Sequence, residues 1–212
     1  MSLDYSTLKT QILSDAHRLD LGDAKAADFV RQAEGVIYRT LRDATQIARV
    51  NIVDGDRVTV DEGFYNLPLD FLEHRAIYLL GANQKSLDAV SSAELRQVSG
   101  QSTVQQFSIL SKTEIEFRGV PSDQQQMELH YFARPATLTN PTDDNAILIE
   151  NESVYLDAGL AALYNFTQDL ELRDTHAAAL GETIETLNEQ AGRLIGGANT
   201  HGYYCLSSFG SY

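Results

Sequence analysis

Histidine and cysteine are the residue types in this sequence that could bind a metal or supply a nucleophile. The histidines are His17, His74, His130, His176 and His201. No two of them have the spacing of a zinc-binding pair, and the motif H-E-x-x-H is absent. The only cysteine, Cys205, excludes an intrachain disulfide and a multi-cysteine metal site. We therefore predict no metal site, no cofactor and no thiol nucleophile.

Carboxylates are so numerous that many pairs could be proposed as a catalytic acid and base, and without geometry none of them indicates an active site. The acidic segment DGDRVTVDEG lacks the ligand spacing of a calcium-binding loop, and a solvent-exposed hairpin turn explains it better. Glycine-rich phosphate-binding motifs and the G-x-S-x-G motif are also absent. We predict that the protein is not an enzyme and has no catalytic residues.

The composition and charge of the 212-residue chain indicate a globular protein that does not wrap nucleic acid. Hydrophobic residues make up 43% of the chain and charged residues 22%, the ordinary mixture for a folded protein. The net charge is -14, and within residues 141–190 eleven carboxylates accompany Arg173 as the only basic residue. Because affinity for nucleic acid comes mainly from lysine and arginine, we expect this segment to repel phosphate.

No apolar run in the sequence approaches the roughly 18 residues that a membrane span needs. The pattern of a secretory signal peptide is also absent. We therefore expect no contact with a membrane and a protein that is made and kept in a cytoplasm.

Apolar residues at spacings of three and four predict two amphipathic helices at each end of the chain. The first pair spans about residues 5–18 and 23–41, and the second begins at about residue 153 and ends at residue 194. Between them the period changes to two, and the runs VNIV and RVTV flank Asp54-Gly55, a dipeptide that suits a hairpin turn. Further strand candidates follow as far as MELHYFARP, with a short helix in SAELRQVSG between them.

These patterns predict an α+β fold, mainly a bundle of about four helices with a small, mostly antiparallel β region inserted into it. Residues 5–47 and 150–195 are expected to form the bundle, because apolar helix faces at the two ends of the chain are best buried against each other. Residues 48–138 form the inserted β-rich region. Residues 196–212 form a flexible C-terminal arm.

The stretch FYNLPLDFLEHRAIYLL sets charged residues into an apolar run, which could indicate a reactive site or a corner between bundle and sheet. Pro68 cannot donate a ladder hydrogen bond and biases Leu67 towards extended backbone, so it marks the boundary of a strand. Asp70 can cap the turn that follows, and Phe71 and Leu72 are expected to fill the joint between bundle and sheet. We interpret these five residues as a bundle–sheet corner.

The last seventeen residues, GGANTHGYYCLSSFGSY, contain four aromatic side chains and no formal charge other than that of a protonated His201. They are too few to build a core, yet they carry too much aromatic surface for a solvated linker. We predict that this arm docks on the surface of a partner. The aromatic residues expected to make the contact are Tyr203, Tyr204, Phe209 and Tyr212.

Three segments, in this order, resemble the head-to-tail adaptor proteins of tailed bacteriophages, in particular the tail-tube adaptor, or tubular tail, proteins of podovirus-like phages and prophages. The segments are LPLDFLE at residues 67–73, ELHYFARPATLTN at residues 128–140, and the passage from NAILIEN into VYLDAGLAALYNF. The resemblance covers roughly residues 5–195. One loop departs from it, because VPSDQQQ is polar where the family usually has an apolar-aromatic turn.

The resemblance implies a structural protein of the virion neck that is present in the host cytoplasm during assembly. Self-association would form a ring, commonly a dodecamer, between the portal protein and the tail nozzle or tube protein. The bundle would form the ring wall, and the C-terminal arm would dock on the portal. DNA would pass through without specific binding, and Glu182, Glu185 and Glu189, which share one helical face, could line the channel.

Two other functions stay open from the sequence alone. The first is a virion-associated hydrolase that uses paired carboxylates on a cell-wall glycan, which a zymogram would detect. The second is a protein-binding module unrelated to phage, acting as a monomer or dimer. Neighbouring genes for portal, terminase and coat proteins would favour the adaptor over both.

Overall fold

The computed structural model describes residues 3–52, 63–80, 85–97, 104–117 and 126–195 of the chain. Within these ranges the chain forms six α-helices and eight strands, and the strands are arranged in two four-stranded sheets. The predicted bundle of about four helices with one small β region was therefore wrong. Alternating patterns mark extended segments but do not say which strands pair, and a very short helix shows no helical period.

The described helices are α1 (Tyr5–Asp15), α2 (Gly22–Thr40), α3 (Ser92–Gln97), α4 (Ala146–Glu150), α5 (Glu152–Thr167) and α6 (Leu170–Ile195). Helix α4 lies before residue 153, where the apolar spacing predicted the second helix pair to begin. Its N-terminus is capped by Asn145, whose Oδ1 accepts a hydrogen bond from the N–H of Leu148 (3.0 Å). Between α5 and α6, Gln168 adopts the left-handed conformation (φ 63°), a cap that reverses the chain within three residues.

Helix α5 lies at the centre of the helical core. Val154, Tyr155, Leu160 and Leu163 are buried on several of its sides, and the helix packs against α1, α2, α4 and α6. A helix that is apolar all round is stable only when other elements surround it. Helices α2 and α6 contact each other far less than either contacts α5, so they cover different sides of it.

The loop that precedes α4 holds the first turn of α1. The N–H of Tyr5 donates to the backbone carbonyl of Asp143 (2.9 Å), which satisfies one of the donors that a helix N-terminus leaves unpaired. The Asp143 carboxylate accepts hydrogen bonds from the backbone N–H groups of Thr139 and Asn140 (2.9 and 2.7 Å). The hydrogen bonds from Asn140 and Thr139 lower the pKa of Asp143 to about 2. An ionised Asp143 therefore shapes the loop that caps α1.

The described strands are β1 (Ile47–Ile52), β2 (Phe64–Asn66), β3 (Phe71–Leu80), β4 (Lys85–Ser86), β5 (Asp88–Ala89), β6 (Gln106–Ile109), β7 (Glu114–Phe117) and β8 (Gln126–Ala133). The first sheet has the order β1-β8-β3-β4 and is antiparallel. The second has the order β2-β7-β6-β5, and its β5–β6 pair is parallel. Strand β8 is central in the first sheet, where Leu129 pairs with Val50 on one side and Ile77 on the other.

Both sheets contribute side chains to one β core, which is separate from the helical core. Ile77, Met127 and Leu129 come from the first sheet, and Phe107 and Ile115 come from the second. Along β8 the buried residues alternate with less buried residues on the opposite face. This alternation is expected for a strand that has one face in a core.

Gly159 brings α5 into close contact with α1, and a Cβ atom at this position would overlap the Cδ1 atom of Ile12. Ile12 is fully buried, so its side chain cannot move aside without disturbing its neighbours. We expect Gly159→Ala to lower the free energy of unfolding by about 1–3 kcal/mol, as measured by chemical denaturation.

Gly181 of α6 provides a matched control, because a Cβ atom there would meet nothing within 4 Å. Gly181→Ala should raise the free energy of unfolding by about 0.5–1 kcal/mol, since alanine favours the helical backbone. If the two substitutions change stability equally, α5 does not pack against α1 in this way.

Candidate functional site

Three segments meet where the helical core adjoins the β core: residues 41–46, 67–73 and 133–145. We call them the junction. Arg42, which follows α2, donates from Nε to the Glu73 carboxylate on β3 (2.9 Å). The N–H of Arg134, which follows β8, donates to the backbone carbonyl of Asp70 (2.6 Å). These contacts hold the end of α2, the start of β3 and the end of β8 together.

A turn of 3-10 helix at Ala44–Gln46 leads the chain from α2 into β1. The N–H of Asp43 donates to Oε1 of Gln46 (2.8 Å), and the N–H of Thr45 donates to the Asp43 carboxylate (3.3 Å). The Gln46 side chain thus satisfies the backbone N–H of Asp43 while the Asp43 carboxylate satisfies that of Thr45, an arrangement of the capping-box type. The change from helix to strand is fixed by local hydrogen bonds.

Asn188 ties α6 to the end of α2. Its Oδ1 accepts a hydrogen bond from the N–H of Arg42 (2.7 Å), and its Nδ2 donates to the carbonyl of Thr40 (3.0 Å). The last carbonyls of a helix have no partner within the helix, so an amide side chain that reaches them from a neighbouring helix satisfies them. The end of α2 and residue 188 of α6 therefore lie at the same height in the helical core.

Glu34 is a carboxylate buried on the apolar face of α2. It accepts hydrogen bonds from the hydroxyl of Tyr38 (3.0 Å) and from the N–H of Leu138 in the junction (2.9 Å). Burial raises the pKa of Glu34, because removal from water disfavours the charged form. The side chain anchors the segment that returns from the β core to the helices.

A cleft of about 290 Å³ opens in the junction between the Ala44–Gln46 turn and the residues around the start of α4. Gln46 lines it, and the buried Nε2 of Gln46 has no hydrogen-bond partner in the described part of the chain. Arg134 and Asp144 are its ionisable lining residues. Asp144 is the only carboxylate among the described residues that line the cleft, whereas glycoside hydrolysis uses a pair of carboxylates.

The structure places the predicted corner residues on and beside a tight turn between β2 and β3. They are Leu67, Pro68, Asp70, Phe71 and Leu72. The N–H of Phe71 donates to the carbonyl of Pro68 (3.0 Å), and the Asp70 carboxylate accepts from the hydroxyl of Tyr131 (3.1 Å). Leu67 and Phe71 are buried in the β core, whereas Leu72 is half-buried. Their role as a functional corner stays a prediction.

The other predicted site residues fall in two places. Glu182, Glu185 and Glu189 are exposed on the side of α6 that faces away from α5, and Glu189 pairs with Arg193 (3.0 Å). Their position along a DNA channel stays a prediction. The docking residues of the arm, which are Tyr203, Tyr204, Phe209 and Tyr212, lie outside the described residues.

The sequence patterns did not single out Glu34, Asn188 or Leu69. Leu69 lies at the tip of the corner turn and is 94% exposed. A carboxylate among the apolar residues on one helix face was the available signal for Glu34. An asparagine on a polar helix surface gives no comparable signal, because its partners on α2 are distant in sequence. A leucine between Pro68 and Asp70 gives none either, because its exposure depends on the turn geometry.

A family model described as SU10 adaptor protein matches residues 3–201, nearly the whole chain. The chain belongs to the SU10 adaptor protein family. A search of curated proteins finds no match to it. The predicted resemblance to phage head-to-tail adaptors is confirmed at the level of the family.

Membership in the SU10 adaptor family makes the chain a structural phage protein, a component of the virion that interacts with other head and tail proteins. The family is not one of known enzymes. None of the helices in the described ranges is long and apolar enough to cross a membrane. Those ranges also contain no group of three or more His, Cys, Asp or Glu residues placed to hold a metal ion.

The raised pKa of Glu34 predicts a pH-dependent contribution to the stability of the adaptor. The folded chain holds a proton that the unfolded chain releases near the ordinary glutamate value of 4.5. The stabilisation that Glu34 contributes to the fold is therefore complete below the ordinary pKa. It is lost as the pH rises through the raised pKa of the folded chain. Glu34→Gln keeps an oxygen acceptor but cannot titrate. Its stability relative to the native adaptor should increase between pH 4 and pH 7 in chemical denaturation.

Glu34→Leu tests the hydrogen bonds of Glu34, whereas Glu34→Gln tests its titration. Leucine leaves the N–H of Leu138 without a partner, so we expect the free energy of unfolding to fall by about 1–3 kcal/mol at pH 7. A constant stability difference between the native adaptor and Glu34→Gln from pH 4 to pH 7 would contradict the raised pKa.

Proposed function

We propose that the adaptor forms a ring that joins the portal protein to the tail nozzle or tube protein and surrounds the path of the DNA. The observation that carries this proposal is the family match over residues 3–201. Residues 5–47 and 150–195 form the ring wall, residues 48–138 form the β-rich part, and residues 196–212 form the docking arm. The finished ring is part of the virion neck and assembles in the host cytoplasm.

The turn at residues 67–72 supports a role in protein contacts. Leu69 is almost fully exposed, while Asp70 and Phe71 on the same turn are held by Tyr131, through a hydrogen bond and through ring stacking at 5.8 Å. A large apolar side chain on a rigid turn gains most from burial against another protein, because little conformational freedom is lost when the contact forms. We assign Leu69 a place at a contact with the tail or the portal, with the corner residues Asp70 and Phe71 holding the turn in position.

The charge of the adaptor supports passage of DNA rather than binding to it. The chain has a net charge of -14, so an excess of carboxylates on the surface that faces the channel is expected. Such a surface repels phosphate, whereas stable binding of DNA needs clustered lysine and arginine. A channel of this kind lets DNA leave the capsid without adhering to the wall.

Electron microscopy of the adaptor mixed with its isolated portal protein tests the proposal directly. We expect closed rings of the adaptor at one end of the portal, with rotational symmetry and an open channel. A free adaptor that is monomeric agrees with the proposal, because some subunits associate only on a partner. Adaptor that never binds the portal, or that binds as single copies, would refute it.

Deletion of residues 197–212 should weaken binding to the isolated portal at least tenfold, because the four aromatic residues of the arm can bury large apolar areas against a partner. Surface plasmon resonance with immobilised portal measures this change. The matched control keeps the full length of the arm and replaces the same four aromatic residues by serine. The docking role of the arm is wrong if the truncated adaptor binds with unchanged affinity.

A further inference from the structure

The outward face of α2 is basic in a chain that is strongly acidic. Its exposed basic residues are Lys25, Arg31 and Arg39, and the first two pair with Asp28 (3.7 and 2.6 Å). The exposed carboxylate at the start of α2, Asp23, pairs with Lys9 of α1. Arg31 is 77% exposed, and Arg39 donates to a backbone carbonyl (2.7 Å). In the described ranges no carboxylate pairs with Arg39. The face keeps an excess of positive charge beside Asp28, and Arg39 in particular can meet an acidic surface.

The outward face of α6 has the opposite charge. Its exposed acidic residues are Glu171, Asp174, Glu182, Glu185 and Glu189. Across the described part of the chain, neither Glu182 nor Glu185 pairs with a basic side chain. The small residues Ala178 and Gly181 are exposed between these carboxylates, which allows another helix to approach closely.

The two faces point away from each other within one chain. Helix α2 buries Phe29 and Val30, and helix α6 buries Leu180 and Ile184, in both cases towards the core that contains α5. A single copy therefore cannot bring its own basic face onto its own acidic face. Two copies can do so, and a contact between two different surfaces leads to a closed ring when the rotation between copies closes.

The charges also lie at matching heights along the two helices. The hydrogen bond from Asn188 to Thr40 sets the common height of α2 and α6 (3.0 Å). Arg31 precedes Thr40 by nine residues, about 13.5 Å along the helix, and Glu182 precedes Asn188 by six residues, about 9 Å. The side chains of Arg31 and Glu182 are long enough to span the difference between these two distances. Rotation about an axis parallel to the helices preserves these heights between copies.

We propose that the outward face of α2 docks on the outward face of α6 of a second copy of this chain, and that this contact closes the wall of the ring. The inference rests on the proposed ring, and it places Glu182 and Glu185 between copies rather than along the DNA channel, where the resemblance to phage adaptors implied them. Exposed ion pairs are individually weak, so several of them select the register and orientation of the copies rather than supply most of the affinity. The contact weakens as salt screens the charges.

Charge reversal tests the contact in the full-length adaptor. The α2 variant carries Arg31→Glu and Arg39→Glu, and the α6 variant carries Glu182→Lys and Glu185→Lys. Each variant alone should need at least tenfold more protein to form rings on the isolated portal, as measured by electron microscopy and sedimentation. A 1:1 mixture of the two variants should restore ring formation to within threefold of the native adaptor, because each basic face again meets an acidic one.

A control with Lys85→Glu and Lys112→Glu changes the net charge as much as the α2 variant does, but at exposed positions in the β-rich part. It should form rings like the native adaptor. If the α6 variant also forms rings normally and releases DNA more slowly, Glu182 and Glu185 face the channel and the inference is overturned. If the native adaptor forms no ring on the portal, the proposed function fails, and this interface fails with it.

Discussion

The burial of helix α5 is the constraint on which the helical part of the adaptor depends. Its residues are apolar on several sides, so it needs α1, α2, α4 and α6 around it. Helices α1 and α2 precede α5 by more than one hundred residues, so the helical core is completed only after the chain has passed through the β region. The close approach of α5 and α1 at Gly159 leaves little freedom in this packing.

The junction follows from that constraint, because the chain must leave the helical core after α2 and return to it before α4. Apolar packing alone would not fix the direction of the exit and the return, whereas hydrogen bonds are directional. Glu34, Asn188 and the Asp43–Gln46 capping box supply such bonds. The burial of the Glu34 carboxylate opposes folding. Its hydrogen bond from the N–H of Leu138, however, joins two residues that are 104 positions apart in the sequence.

The positions of the charged residues on the surface of the folded adaptor determine which contacts it can make, and the net charge alone does not show them. A net charge of -14 keeps free copies apart and discourages adhesion to DNA. The basic face of α2 is a local exception on the exposed side of that helix. Copies that repel each other at long range, and that meet through the proposed local contact between α2 and α6, are suited to assembly on a portal that brings them close together.

The sequence by itself determined the four longer helices, the position of the strand-rich region and the family. Apolar periodicity is a local property, and it marked α1, α2, α5 and α6 close to the bounds that the structure has. Only the tertiary structure decided that the strands form two sheets, that the five-residue α4 exists, and that Glu34 is anchored by Leu138. The strand pairing and the Glu34 anchor depend on contacts between residues far apart in the chain, to which no local pattern of residue types corresponds. Helix α4 is too short to show a helical period.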